Sequence, residues 1–192
     1  LFMEHKVKTT DGQSSHPYFQ PIKGTFSVDS EIVPSISLGR KIGEFGKKNF
    51  TISFWFQTTA NSRLFDVMGN RPQGSHGNFF CIRMTGKHES MPEGTIYAEI
   101  DQDSHGTNYA STGCGERAGL NDGKWHHCAV TRDGKVLKMY IDGEPYSRAE
   151  SKGVANLINM HEFKIGKSYH DFSQVDINFR DLRFYDVALS DE

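Results

Sequence analysis

Short runs in which apolar and polar residues alternate recur along most of the chain. The stretch FTISFWFQ, residues 50–57, has an apolar side chain at every second position. A period of two places alternate side chains on opposite faces of a β-strand, so this stretch is a predicted strand. RLFDVM, NFFCIRM and GTIYAEID are predicted strands of the same kind. In GTIYAEID we expect Ile96, Ala98 and Ile100 on one face and Tyr97, Glu99 and Asp101 on the other.

The segments between these runs have loop compositions, and no stretch shows the 3.6-residue period of an amphipathic helix. GNRPQGSHG, GKHESMPEG and STGCGERAGLNDG are rich in glycine and polar residues. Many short strands with polar residues facing outwards predict an all-β fold, an antiparallel β-sandwich. Residues 1–23 are predicted to be an irregular N-terminal segment that packs on the domain, which occupies residues 24–192.

Composition narrows the class of protein. The 192 residues, 36% of them hydrophobic and 14 of them Phe, suffice for one large domain with a sizeable core. The net charge of −2 does not indicate the excess of positive charge that nucleic-acid binding requires. No apolar run approaches the roughly 18 residues that span a bilayer. No signal peptide is recognised, and we expect the chain to be a module of a longer protein.

Three cysteines are too few for a disulfide framework. Cys128 and Cys81 lie in predicted strands and are expected to be reduced core residues. Cys114 lies between two glycines in a loop and is expected to be the reactive thiol. No CxxC pair exists, which argues against a structural zinc site.

One stretch looks reactive because it contains Trp125, His126, His127 and Cys128 side by side. HHCAVTR is a predicted strand, Asp-Gly at 133–134 a predicted type I′ turn, and KVLKMYID the returning strand, ended by a second Asp-Gly at 142–143. Alternation turns the two histidines to opposite faces, so they cannot share one metal ion or one proton. His126 is therefore expected to be a hydrogen-bonded, inward-facing residue of the scaffold.

These residues carry a resemblance to a known family. LNDGKWHHCAVTRDGKVLKMYIDGE resembles the D-G-x-W-H…R-D-G…Y-x-D-G hairpin of laminin-G-like domains. FTISFWFQTT resembles the family's early strand, and FKIG followed by FRDLRFYDVALSDE resembles its final strand and exit. The resemblance covers about residues 24–192 and implies a concanavalin A-like jelly roll of two curved antiparallel sheets with 12 to 14 strands, a fold that pentraxins share.

The family implies a binding module, usually extracellular or on the cell surface, that takes a glycan or an extracellular protein ligand on loops at the sandwich rim, often with Ca²⁺. Calcium-binding laminin-G domains have an Asp before the strand that matches GNFFCIRM, where this chain has an Asn. The acidic run of pentraxins is replaced by KSYHDFSQ, in which only one residue is acidic. One or two Ca²⁺ ions are expected at most, with oxygen ligands from Asn78, Asp101, Asp103 and Asp171.

Three loops carry the mixture of polar and aromatic groups that sugars require, because each hydroxyl needs a partner and each ring face an apolar platform. They lie at 69–78, 101–109 and 168–176. The candidate ligand-binding residues are Arg71, His76, Asn78, Asp103, His105, Asn108, Tyr109, Tyr169 and His170.

An acidic run raises an enzymatic alternative. Glu99, Asp101 and Asp103 resemble the Glu-Ile-Asp-x-x-Glu run of jelly-roll glycoside hydrolases, although the last position is not a glutamate. Retaining hydrolysis needs two carboxyls about 5–5.5 Å apart, and Glu99 would be the nucleophile. The sequence favours a non-catalytic carbohydrate- or ligand-binding module, with a glycan-cleaving enzyme and a structural spacer as alternatives.

Overall fold

The computed structural model describes residues 36–72, 74, 76–158, 161–168 and 175–190, together with the strand residues 8–9 and 26–27. This part of the chain contains thirteen β-strands and one 3₁₀ turn at Lys41–Gly43. The strands are β1 (Lys8–Thr9), β2 (Phe26–Ser27), β3 (Ile36–Ser37), β4 (Phe50–Gln57), β5 (Leu64–Gly69), β6 (Phe79–Thr85), β7 (Ile96–Asp101), β8 (Ala110–Ser111), β9 (His126–Asp133), β10 (Val136–Ile141), β11 (Glu144–Glu150), β12 (Lys164–Ser168) and β13 (Asn178–Tyr185).

Two antiparallel sheets form a sandwich. One has five strands in the order β11-β10-β9-β4-β13, and the other has six in the order β3-β12-β5-β6-β7-β8. The β1 and β2 strands pair with each other. The predicted all-β sandwich is confirmed, and the described strand count lies within the expected 12 to 14.

The core lies between the sheets and follows the period-two pattern. The four Phe and Ile residues of FTISFWFQ are at most 2% exposed and face the apolar side of β6. Phe50 meets Phe80 edge to face with ring centroids 5.3 Å apart. Truncating one such phenylalanine to alanine typically costs about 3–5 kcal/mol, so this contact is a main source of stability.

The outward face of the six-stranded sheet is buried, contrary to the expected polar-out pattern. Tyr97, Glu99 and Asp101 alternate with the core residues of β7 as predicted, but each is less than 9% exposed. Cys81 is buried on this same outer side, opposite Glu99, and so belongs to the polar face rather than to the sandwich core. The alternation predicted correctly which face of the sheet these side chains occupy, but it did not predict that they are buried.

The turn chemistry of the two Asp-Gly pairs differs from the prediction. Asp133 pairs with Val136, so the first loop is Gly134-Lys135, and only Gly134 has positive φ, at 56°. That pattern fits a type II′ turn rather than the predicted type I′. In the second pair, Asp142 and Gly143 both have positive φ, 54° and 85°, and they form the I′-type loop between β10 and β11.

Strand β11 forms the outer edge of the five-stranded sheet. Its exposed side chains are mainly charged, and Glu150 contacts both Lys135 at 2.7 Å and Arg148 at 3.2 Å. In the N-terminal segment predicted to be irregular, Lys8–Thr9 forms a strand with Phe26–Ser27, and the rest of residues 1–23 lies outside the described part. No helix in the described ranges is long and apolar enough to cross a membrane.

Candidate functional site

Strand direction brings two of the predicted ligand loops together. Phe79, the first residue of β6, pairs with Asp101, the last residue of β7. The loop that precedes β6 and the loop that follows β7 therefore lie at the same rim of the six-stranded sheet. On the outer face of this rim, Arg71, His76, Glu99, Asp101 and Tyr109 contact one another, and these five residues are called the rim site below.

Glu99 is the centre of the rim site. Its Oε2 accepts a hydrogen bond from Arg71 Nη1 at 2.8 Å, and its Oε1 accepts one from the Tyr109 hydroxyl at 2.5 Å. Burial and the adjacent Glu99 carboxylate raise the pKa of Tyr109 to about 12. Tyr109 is therefore a neutral phenol at pH 7 and donates its proton to a carboxylate, a charge-assisted bond that fixes the ring.

A buried ionic network lies beneath this centre. Arg83 Nε contacts Asp66 Oδ1 at 2.8 Å, and Arg83 Nη1 lies 3.5 Å from Glu99 Oε2. The Cys81 thiol lies 3.6 Å from the same oxygen, and burial raises its pKa well above the usual range. Removing one partner of a buried ion pair costs about 3–5 kcal/mol, so the network holds the position of Glu99 firmly.

His76 and Tyr109 form the solvent-facing surface of the rim site. His76 Nδ1 lies 2.7 Å from Oδ2 of Asp101, which is fully buried, whereas the His76 side chain is 39% exposed. The two rings meet edge to face with centroids 5.5 Å apart, and Tyr109 is 37% exposed. Gly106 has φ of 72°, and a Cβ there would lie 2.9 Å from His76 Cε1, so the loop can approach the ring only because this residue is glycine.

Asn78 and Asn108 lie in a neighbouring cluster that holds the loops to each other. Asn78 Nδ2 donates to the backbone oxygens of Gln102 and Asn156, each at 2.7 Å. Asn108 Nδ2 donates to Gln102 Oε1 at 3.1 Å. These two predicted ligand residues therefore support the loops beside the rim site.

The remaining predicted residues lie further out or outside the described ranges. Asp103 Oδ1 accepts backbone hydrogen bonds from His105 at 2.9 Å and from Thr107 at 3.2 Å, which closes the loop tip. Hydrogen bonding, with Thr107 the largest contributor, lowers the pKa of Asp103. The His105 side chain is 88% exposed at this tip. Tyr169, His170 and Asp171 lie outside the described residues.

The described oxygen donors do not converge on a common calcium position. Asn78 Oδ1 and Asp101 Oδ1 are each buried without a hydrogen-bond partner. However, Asp101 is paired with Phe79, so strand alternation directs Asn78 to the opposite face. Asp103 is engaged with backbone amides. No group of three or more His, Cys, Asp or Glu suited to a metal is found within the described ranges, and the calcium site stays a prediction.

Each carboxylate of the acidic run has other hydrogen-bond partners in the described structure. Glu99 is bonded to Arg71 and to Tyr109, and Asp101 is covered by His76. Asp103 belongs to the loop tip rather than to the strand face. The arrangement instead presents two fixed rings with polar atoms beside them.

The two adjacent histidines point apart, as the alternation predicts. His126 is 8% exposed and lies between Asp122, 3.1 Å from Nε2, and Asp142, 3.0 Å from Nδ1. His127 Nε2 lies 2.9 Å from Ser53 Oγ on the outer face of the sheet. His126 is therefore a hydrogen-bonded residue of the scaffold, as predicted.

Sequence reasoning missed the buried partners of the rim site, Asp66 and Arg83. Each faces outwards from a central strand, and the alternation alone assigned such positions to solvent. A usable signal was present, because Asp66, Arg83 and Glu99 are charges in the middle of three successive apolar strands.

A separate cavity of about 590 Å³ lies at the edge strand β11 and its neighbour β10 and holds none of the predicted ligand residues. Its walls include Glu116, Arg117, Lys138, Glu144 and Arg148, which carry charges of both signs. This mixture of charges does not define one class of ligand.

A family model described as the concanavalin A-like lectin/glucanases superfamily matches residues 34–192. The chain belongs to this superfamily, and the matching model is of the laminin G type. The resemblance found in the hairpin motif is thereby confirmed. A search of curated protein sequences finds no significant match.

Solved structures share the fold at low sequence identity. The CBM40 of Ruminococcus gnavus IT-sialidase, bound to α2,3-sialyllactose, is 13% identical with a TM-score of 0.59, over 86% of this chain and 91% of that one. The NanB sialidase of Streptococcus pneumoniae is 17% identical with a TM-score of 0.61, over 86% and 27%. The binding domain of Paraclostridial Mosquitocidal Protein 1 is 16% identical with a TM-score of 0.59, over 98% and 44%. These similarities establish the fold.

Proposed function

We propose that this domain is a non-catalytic glycan-binding module of a larger extracellular or cell-surface protein, and that the glycan binds at the rim site. The observation that carries the proposal is the pair of half-exposed rings, His76 and Tyr109, held edge to face above buried carboxylates. The superfamily membership and the carbohydrate-binding modules among the structural neighbours support it.

The physical reason is that the rim site offers both kinds of contact that a sugar needs. An aromatic ring accepts the apolar face of a pyranose, while imidazole and phenol atoms bond to hydroxyls. Because Asp101 and Glu99 fix the two rings from below, the side-chain entropy lost on ligand binding is small. A site fixed in this way binds a ligand without needing to rearrange.

The test is a glycan array with the whole chain, followed by measurement of the dissociation constant for each glycan that binds. Tyr109→Ala and His76→Ala are expected to raise the dissociation constant at least about tenfold, because each removes one of the two rings. His88→Ala is the matched control, since His88 lies in the loop between β6 and β7, at the end of these strands opposite the rim site. Binding that is unchanged in Tyr109→Ala and His76→Ala would contradict the assignment of the site.

A second arm addresses catalysis. The array glycans are incubated with the chain, and new reducing ends are measured. Release of reducing ends that disappears in Glu99→Gln would overturn the non-catalytic proposal and restore the hydrolase alternative.

Running the array with millimolar Ca²⁺ and with a chelator tests the calcium prediction. A calcium ion that binds only the folded state also raises the melting temperature, and an unchanged value would contradict the prediction.

A further inference from the structure

The outer face of the five-stranded sheet carries both tryptophans of the chain. Trp55 on β4 pairs with Arg180 on β13 at one side and with His127 on β9 at the other, so all three side chains project from the same face. Trp125 immediately precedes β9. These four residues are called the tryptophan face below, and they lie on the sheet opposite to the one that carries the rim site.

The two indoles are accessible in different ways. Trp55 is 41% exposed, a large fraction for an indole in the middle of a sheet, and its ring lies 5.2 Å from the ring of His127. Trp125 is half-buried and is covered by the guanidinium of Arg180 at 4.0 Å from its ring centroid. This stacking on Trp125 holds Arg180 beside Trp55, the more exposed of the two indoles.

Fixed polar groups surround the indoles. Gln57 donates through Nε2 to the backbone oxygen of Gly123 at 2.7 Å and accepts from Asn178 Nδ2 at 3.1 Å. Burial lowers the pKa of His127 against the opposing effect of Asp142 and Asp181. His127 is therefore a neutral imidazole at pH 7, and its ring is oriented by Ser53 at 2.9 Å.

The charges at the tryptophan face leave one cation without an acidic partner. Asp181 contacts Arg183 at 2.5 Å, and Asp142 is engaged by Arg117 and His126. Arg180 forms no salt bridge with any acidic residue in the described ranges, and its guanidinium lies over the Trp125 ring. The face thus combines an exposed indole, on which a sugar ring can stack, with a guanidinium that can bind an anionic group of the same sugar.

We propose that the tryptophan face is a second ligand site, distinct from the rim site, that takes an acidic saccharide. One pyranose ring stacks on Trp55, and the carboxylate or sulfate of the sugar contacts Arg180. An anion forms short, charge-assisted hydrogen bonds with a guanidinium, which discriminates against neutral sugars. Trp55 is 41% exposed and presents one aromatic platform, about the size of one pyranose ring.

Intrinsic fluorescence tests the proposal directly. The chain contains two tryptophans, and both lie on this face, so a ligand at the rim site leaves the tryptophan emission unchanged. The wild-type chain is titrated with trigalacturonate, with a sulfated galactan trisaccharide and with neutral galactotriose. A saturable change is expected with one or both acidic probes, which separates carboxylate from sulfate recognition, and an effect at least about tenfold weaker with galactotriose. No saturable change with either acidic probe, or an equal response to galactotriose, would overturn the proposal.

Variants locate the site. Arg180→Gln is expected to raise the dissociation constant of the acidic probe about tenfold. Trp55→Ala is expected to abolish binding measured by calorimetry, and Trp55→Phe is expected to retain part of that binding. Tyr109→Ala leaves the fluorescence response intact, so failure of the rim-site proposal and failure of this one are distinguishable. Unchanged melting temperatures verify folding. Affinity that survives both Arg180→Gln and Trp55→Ala, or sedimentation that shows a dimer lost in Trp55→Ala, would overturn the proposal.

Discussion

In both sheets, every second residue of a strand lies on the outward face. That face is buried in the six-stranded sheet and exposed to solvent in the five-stranded sheet. On the six-stranded sheet, Asp66, Arg83 and Glu99 are buried in an ionic network. On the five-stranded sheet, Trp55 and Arg180 are open to solvent. Strand periodicity decides which face a side chain occupies, but the segments that cover the face decide whether the residue meets water. The first face therefore stabilises the fold and holds the side chains at its rim, whereas the second leaves an indole and a guanidinium exposed.

The largest expected effect is a difference in unfolding free energy between matched substitutions on the two faces. Arg83→Met leaves the Asp66 carboxylate buried without that cation and is expected to lower the free energy of unfolding by about 3–5 kcal/mol. Arg180→Met, the matched change on the other face, should stay within about 0.5 kcal/mol. Urea unfolding monitored by circular dichroism measures both. Equal losses in the two variants would show that the faces do not differ in this way.

A smaller effect is expected at the loop that covers His76. Gly106→Ala places a Cβ against the imidazole at a residue with positive φ, so we expect a loss of about 1–2 kcal/mol together with weaker glycan binding. Gly113→Ala is the control, because its φ is 66° but no atom lies within 4 Å of the added carbon. It should lose stability for the backbone reason alone and keep full binding. Similar binding losses in the two variants would contradict the contact argument.

A pH effect is expected at the hairpin beside the tryptophan face. Burial of Asp142 opposes its ionisation, but hydrogen bonds from His126 and Arg117 outweigh burial and lower the pKa to about 2. A depressed folded-state pKa adds stability above the unfolded value of about 3.9, and this stability is lost as pH falls towards 2. Asp142→Asn, which keeps the turn conformation, should flatten the stability curve in this window. The same slope in wild type and variant would refute the assignment.

The smallest effect is a difference in thiol reactivity. All three cysteines are free, and burial raises the pKa of both Cys81 and Cys128. Cys114 is only partly buried and should react alone with a thiol reagent in the native protein. Three groups should react after denaturation. Fast reaction of more than one native thiol would show that one of the covered faces opens to solvent.

The sequence predicted the fold well because alternation and turn residues are local properties. The FTISFWFQ strand, the divergence of His126 and His127, and the laminin-G-like hairpin all agree with the structure. The turn type at Gly134-Lys135 was wrong, because register rather than the Asp-Gly dipeptide decides which two residues form the loop.

The site was predicted only in part. Arg71, His76 and Tyr109 came from loop composition, and the structure brings them together. Their buried partners Asp66 and Arg83 depend on which strands are neighbours, and the sequence indicates them only as charged residues in the middle of apolar strands. Burial of Glu99 was missed for the same reason, since its partners Arg71 and Arg83 are distant from it in the sequence.

Strand β11 decides whether copies of this domain can join through their sheets. A bare sheet edge offers unpaired backbone groups to any other strand, and neighbouring copies can join through it. The lysine, arginine and glutamate side chains along this edge, with Glu150 bound to Lys135 and Arg148, make such joining costly. Several copies of the domain can therefore come close together at high local concentration without their sheets fusing into a fibre.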